Sequence, residues 1–127
     1  MTVVRHADEA GFDIGLRQFF AYRDLGVKDA SGGAYAAHVI RAVPGQHAIP
    51  QWHTHALGFQ LVFVLRGWVE FEYEDIGHVR LEQGASAYQP PGILHREVAH
   101  SDDLEMLEVT SPAEFATATI EMAPVDP

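Results

Sequence analysis

From about Ala34 onward the chain alternates apolar and polar residues in short runs, most of them closed by Gly, Pro or Asp. This period-two rhythm predicts antiparallel strands arranged as a sandwich or barrel, an all-β fold. The clearest runs are Phe59–Leu65 and Trp68–Tyr73. Arg66 and Gly67 between them have the length of a two-residue hairpin loop, in which Gly takes a positive φ. In the second run Val69, Phe71 and Tyr73 alternate with Glu70, Glu72 and Glu74, so one face is buried and the other wet. Further strands are expected at His78–Leu81, Ser86–Gln89, Leu94–Ala99 and Leu104–Thr110, with Gly-, Pro- and Asp-bearing turns between them. The first third is less regular: Phe19–Arg23 and Ala34–Val43 read as strands and Gly26–Gly33 as a loop. After the last strand, Ser111 and Pro112 are favourable opening residues for a helix, so Ser111–Phe115 is expected to begin a short helical tail.

At 127 residues the chain is sized for one domain with a core of its own. It has no cysteine, which excludes disulfides, thiolate metal sites, iron–sulfur clusters and thiol nucleophiles. Eighteen acidic against eight basic side chains give a formal net charge of −10. That balance argues against nucleic acid and against anionic membrane surfaces as partners. The opening residues contain no apolar run suited to a signal peptide, and no segment approaches the ~20 apolar residues of a membrane span. Together these features predict a cytoplasmic protein.

The candidate chemistry lies in the histidines. His53 and His55 flank Thr54. On a strand, residues i and i+2 share a face about 6.6 Å apart, at ~3.3 Å rise per residue. Two imidazoles so placed can converge on one metal ion at about 2.1 Å each. His95 follows the Pro90-Pro91-Gly92 break and offers a third imidazole. His6, His38, His47, His78 and His100 read as surface or loop residues. Trp52, Phe59, Trp68, Phe71 and Tyr73 read as core or interface aromatics, with Trp52 and Phe59 as candidates to fill a barrel mouth. Tyr88 and Arg41 are further candidates for the pocket wall.

Gly45, His53, His55, Gln60 and Gly67, followed by Gly84, Pro90, Gly92 and His95, resemble the two motifs of the cupin superfamily in their order. The second motif matches at the family's spacing. The first has a longer gap before His53, and Gln60 stands where the family usually has Glu. The resemblance implies a double-stranded β-helix, or jelly-roll, barrel over residues 34–112. A short N-terminal arm (residues 1–33) would pack on the barrel or on a partner, and a C-terminal tail would occupy residues 113–127. It also implies one divalent metal ion held by His53, His55, His95 and Gln60, a small-molecule substrate or ligand, and a homodimer in which an N-terminal strand covers a partner's sheet edge.

Gln60 lies five residues after His55, an odd separation that would turn it to the opposite face of a single strand. It can join the histidines only if Ala56-Leu57-Gly58 bends or bulges the chain, and Gly58 suits a bulge. The ordinary alternative for Gln60 is a polar residue at the barrel mouth that never touches a metal. Three neutral imidazoles and a neutral amide leave a divalent ion its full charge. Such a set favours Zn over Fe, Mn, Ni or Co, and Lewis-acid work over oxygen activation. Carboxylates near the ion, such as Glu97, Glu105 or Glu108, would moderate that tilt. Tyr88, Glu97 and Glu108 are the candidates for moving protons. The resulting expectation is a metal-dependent enzyme on a small carbonyl- or enol-type compound, working by isomerase, cyclase, lyase or dioxygenase chemistry. The alternative is a non-catalytic barrel that binds or senses a metabolite or sugar.

Overall fold

The computed structural model describes residues 2–7, 11–14 and 19–120. Eleven strands and one helical turn follow one another in it. They are β1 (Asp13–Ile14), β2 (Phe20–Asp24), α1 (Val27–Ala30), β3 (Ala36–Ala42), β4 (Trp52–His55), β5 (Phe59–Arg66), β6 (Trp68–Tyr73), β7 (Gly77–Glu82), β8 (Ser86–Tyr88), β9 (His95–His100), β10 (Glu105–Ser111) and β11 (Thr117–Ile120). They form a six-stranded sheet in the order β1-β2-β3-β10-β5-β8 and a five-stranded sheet in the order β11-β4-β9-β6-β7. Every strand pairing is antiparallel. From β3 onward each connection except β6–β7 carries the chain from one sheet to the other. This is the winding of a jelly roll, and it confirms the all-β reading. Among the described residues no helix is long and apolar enough to cross a membrane.

Alternation explains the core. Val62 and Val64 of β5 and Val69, Phe71 and Tyr73 of β6 face inward and are buried, together with Ile40, Leu81, Leu104 and Met106. The opposite face of β6 is wet, as expected: Glu72 pairs with Arg96 at 2.7 Å, and Glu70 lies near Arg80 and His78. Withdrawing this apolar surface from water is the main stabilising contribution, roughly 25 cal/mol per Å².

Three local expectations are corrected. β5 and β6 are not a hairpin, because they lie in different sheets. Gly67 has φ 73° and forms a corner between the sheets. A Cβ there would stand 2.3 Å from Ser101 Oγ and 3.1 Å from Leu104 Cα. The two-residue spacing was right for a turn but could not say which strands pair. The hairpin is β6–β7, from Trp68 opposite Glu82 to Tyr73 opposite Gly77.

No helix begins at Ser111. Ser111 closes β10, and Thr117–Ile120 pair with β4 as β11. A helix of one or two turns is marginal in water, whereas this strand satisfies the open edge of β4. Residues 113–127 therefore include a barrel strand. β1 and β2, from residues 1–33, extend the other sheet beside β3 in the same chain. The Gly26–Gly33 loop contains the single turn α1, entered through Gly26 at φ 81°.

Leu104 is completely buried. Leu104→Ala should lower unfolding free energy by about 2–5 kcal/mol, the range for emptying a packed aliphatic site. Urea unfolding checks this; a loss below about 1 kcal/mol would mean that the core collapses around the gap.

Candidate metal centre

The three motif histidines meet. His53 and His55 project from the same face of β4, and His95 of β9 lies directly opposite His53 in the ladder. Ring centroids are 4.2 Å apart for His53–His95, 4.8 Å for His53–His55 and 5.1 Å for His55–His95. One nitrogen from each ring falls within 4.8 Å of the others. His53 and His95 are buried and His55 is half-buried.

Hydrogen bonds orient the rings. His53 Nδ1 lies 2.8 Å from the carbonyl of Gln51, and His95 Nδ1 lies 3.0 Å from the carbonyl of Ile93. A carbonyl only accepts, so in these two rings Nδ1 carries the proton and Nε2 is the unprotonated nitrogen. His55 Nδ1 is 2.8 Å from Thr117 Oγ1, so β11 orients the third ring. Nitrogens sharing one ion at about 2.1 Å sit roughly 3.0–3.4 Å apart. The histidine nitrogens lie within 4.8 Å of one another, a separation that small ring movements would close onto an ion, and they carry the partners on the far ring nitrogen that metal-ligating imidazoles usually have. Their donor chemistry fits a divalent metal ion, and the three side chains could hold one.

Across the cavity stands a second group. Gln60 reaches the interior because the chain leaves the five-stranded sheet after His55 and enters the six-stranded one at Phe59. The irregularity expected at residues 56–58 is therefore a change of sheet rather than a bulge. Gly58 does not take a positive φ, and its N–H donates to Ser111 O at 2.8 Å. Gln60 is buried, and its Nε2 donates to Glu108 Oε2 at 3.0 Å. His38 of β3 lies opposite Glu108 in the ladder. Burial pushes the Glu108 carboxyl above the usual carboxylate range, while the Gln60 hydrogen bond and nearby His38 act against that rise.

Both groups line one cavity of about 580 Å³. Of the proton-moving candidates, Glu97 and Glu108 line it and Tyr88 does not. Tyr88 is 56% exposed and packs on Phe59 on the outer face. Its parity on β8, beside Leu61, turns it outward. Arg41 is likewise outside, near Glu105 and over the Phe12 ring. Trp52 is buried beneath Arg96, and neither it nor Phe59 fills the mouth.

Some participants were not legible. Tyr22, His38, Phe115 and Thr117 line the cavity. The run at β3 is apolar on both faces, so its parity gave no sign that His38 points inward; Phe115 and Thr117 fell where a helix was expected. Tyr73 stacks on His95 and accepts a hydrogen bond from Gln89 Nε2 at 2.7 Å. Burial pushes its phenol up to about 12. His100 is buried beside Glu97, with Nδ1 3.4 Å from Oε2. The β6–β9 ladder slips by one residue next to Glu97, so residues 97 and 100, three apart, both face inward.

A family profile described as the cupin domain matches residues 38–110. The chain belongs to the cupin family. No curated protein sequence matches it. Among solved structures, this cupin is similar to the polyketide cyclase RemF from Streptomyces resistomycificus, at 17% identity over 97% of this chain and 88% of that one, with a TM-score of 0.76. KdgF from Halomonas sp. is 22% identical over 84% and 92% of the two chains, with a TM-score of 0.64. The nucleoside dehydratase Pac13 is 11% identical over 98% and 95%, with a TM-score of 0.70; a related structure names Streptomyces as its source. At these identities the likeness shows the shared fold.

Glu108 makes stability pH-dependent. Its folded-state pKa is raised, so the folded protein holds this proton at pH values where the unfolded chain has lost it. Its contribution to stability therefore falls as pH rises from the ordinary carboxylate range through the raised value. In metal-free protein, Glu108→Gln should gain stability relative to wild type across that window and show little difference below it. Urea unfolding at a series of pH values reads this; parallel curves would contradict it.

Proposed function

We propose that this cupin is a cytoplasmic metal-dependent enzyme acting on a small carbonyl- or enol-type organic compound. The supporting observation is the opposition of the two groups in one cavity: three clustered imidazoles on one sheet, and a Gln60–Glu108 pair with a raised carboxyl pKa on the other. His53, His55 and His95 would hold the ion, with the Gln60 amide oxygen as a further ligand, since its nitrogen is committed to Glu108. A divalent ion bound there supplies a Lewis acid that draws electron density from a carbonyl or hydroxyl oxygen. Glu108 is the group to take a proton from the carbon next to that carbonyl, or to hand one to a departing hydroxyl. Gln60 orients the carboxyl, and the apolar walls limit water.

Such proton transfers serve cyclisation, dehydration and isomerisation. Two structural neighbours are named as a cyclase and a dehydratase, names compatible with that class. Zinc remains the ion that best suits a neutral donor set, although Glu108, one hydrogen bond beyond Gln60, returns part of the missing negative charge. A homodimer remains part of the proposal. Phe59, Phe63, Leu65 and Tyr88 leave exposed apolar surface on the outer face of the six-stranded sheet, which a second copy would cover.

Two experiments test this reading. Protein purified without added metal should contain about one divalent ion per chain, and His53→Ala or His95→Ala should remove it. The lost stabilisation should approach about 2.7 kcal/mol when free metal stands a hundredfold above its dissociation constant. Unchanged metal content in both variants would refute the ligand assignment. Second, the metal-loaded enzyme should exchange hydrogen for deuterium next to the carbonyl in a panel of aryl ketones, followed by NMR. Glu108→Gln should slow exchange about 10²–10⁴-fold. Binding of the same ketones without exchange would favour a carrier or sensor.

A further inference from the structure

The wall of the cavity restricts what it can hold. Much of it is apolar: Phe20, Ile40, Val62, Phe71, Met106 and Phe115 supply carbon surface between the two polar groups. Its ionisable residues other than histidine and tyrosine are all acidic, namely Asp13, Glu97 and Glu108. None of the seven Lys and Arg residues among those described lines it. Each is engaged elsewhere. Arg23 donates to His6 O at 2.8 Å, and Lys28 pairs with Glu114. Arg66 lies 3.6 Å from Asp103, Arg80 covers the Trp68 ring and Arg96 pairs with Glu72. Arg5 donates to its neighbour's carbonyl, and Arg41 lies over Phe12. Arg17, the eighth, lies outside the described residues.

A phosphate, sulfate or carboxylate buried away from the metal centre would thus meet mostly carbon and carboxylates; among the described residues no Lys or Arg reaches it, and His38, the one imidazole outside the metal group, already lies opposite Glu108. The volume, about 580 Å³, is in the range that encloses a molecule of drug size rather than a two- or three-carbon acid. We infer that the substrate is a neutral, largely apolar compound of drug size that offers the metal centre one oxygen-bearing group and carries no anionic group. The inference rests on the reading of this cavity as the active site, and it narrows the substrate class.

The test uses zinc-loaded full-length protein and a matched pair of probes: 2-acetyl-1-naphthol, and the same compound with a carboxylate on its distant ring. Calorimetry should show the neutral probe binding and the carboxylated one at least about tenfold weaker. Phe115→Arg places a cation on the half-buried wall beside His55, and Tyr22→Arg does so on the opposite sheet as a second, independent variant. Either should narrow or invert the preference. Equal or tighter binding of the carboxylated probe by wild type would overturn the inference, and its loss in Arg17→Ala would identify Arg17 as the anion's partner. Failure of both probes to bind protein that does bind zinc would also overturn it. Selective binding of the neutral probe without deuterium exchange would uphold the ligand class and overturn catalysis, so the two failures are distinguishable.

Discussion

The site depends on the chain changing sheets between His55 and Phe59. Within one strand, a residue five positions after His55 would turn its back on the histidines. By leaving the five-stranded sheet and entering the six-stranded one, the backbone reverses that parity. Gln60, Val62 and Val64 then face inward across from the imidazoles. The crossing is closed by Ala56 N–H donating to Ala116 O and Gly58 N–H donating to Ser111 O, at 2.9 and 2.8 Å. Those donors find partners in the segments that lead out of β10 and into β11, so the last strand of the barrel and the entrance to the site are built together.

This winding gives the cavity two unlike walls. The five-stranded sheet contributes nitrogen donors whose orientation is set mostly by backbone carbonyls. The six-stranded sheet contributes a carboxyl held by an amide. In the usual cupin pattern a carboxylate occupies the place of Gln60. Here the charge stands one hydrogen bond further out, on Glu108. Burial of that carboxyl is tolerable because Gln60 donates to it, and the same burial raises its pKa above the usual carboxylate range. With Gln in place of Glu, the residue beside the histidines is a neutral amide and the nearest carboxyl is Glu108, which accepts its hydrogen bond.

Much of this was legible in the linear chain, and the failures have definite causes. Strand positions followed from alternation because each strand buries one face. The histidines were legible because His53 and His55 share a parity and His95 falls at the spacing of the second cupin motif, Gly84, Pro90, Gly92 and His95. Tyr88 failed as a pocket residue because β8 is only three residues long and no alternating pattern marks which face is inside. His38 and Tyr22 were hidden for a related reason, since strands with apolar residues on both faces do not reveal their parity.

The residues alone determined an all-β chain, the approximate limits of most strands, the absence of thiol chemistry and three histidines suited to one metal. These are local properties, set by side-chain period and composition. Only the tertiary structure decided that β5 and β6 part into different sheets, that Thr117–Ile120 form a strand, that Gln60 binds Glu108 and that no described Lys or Arg reaches the cavity. Each of those depends on which distant segments pair. Pairing is decided by the whole set of backbone hydrogen bonds and buried faces at once, and no single stretch of sequence carries it.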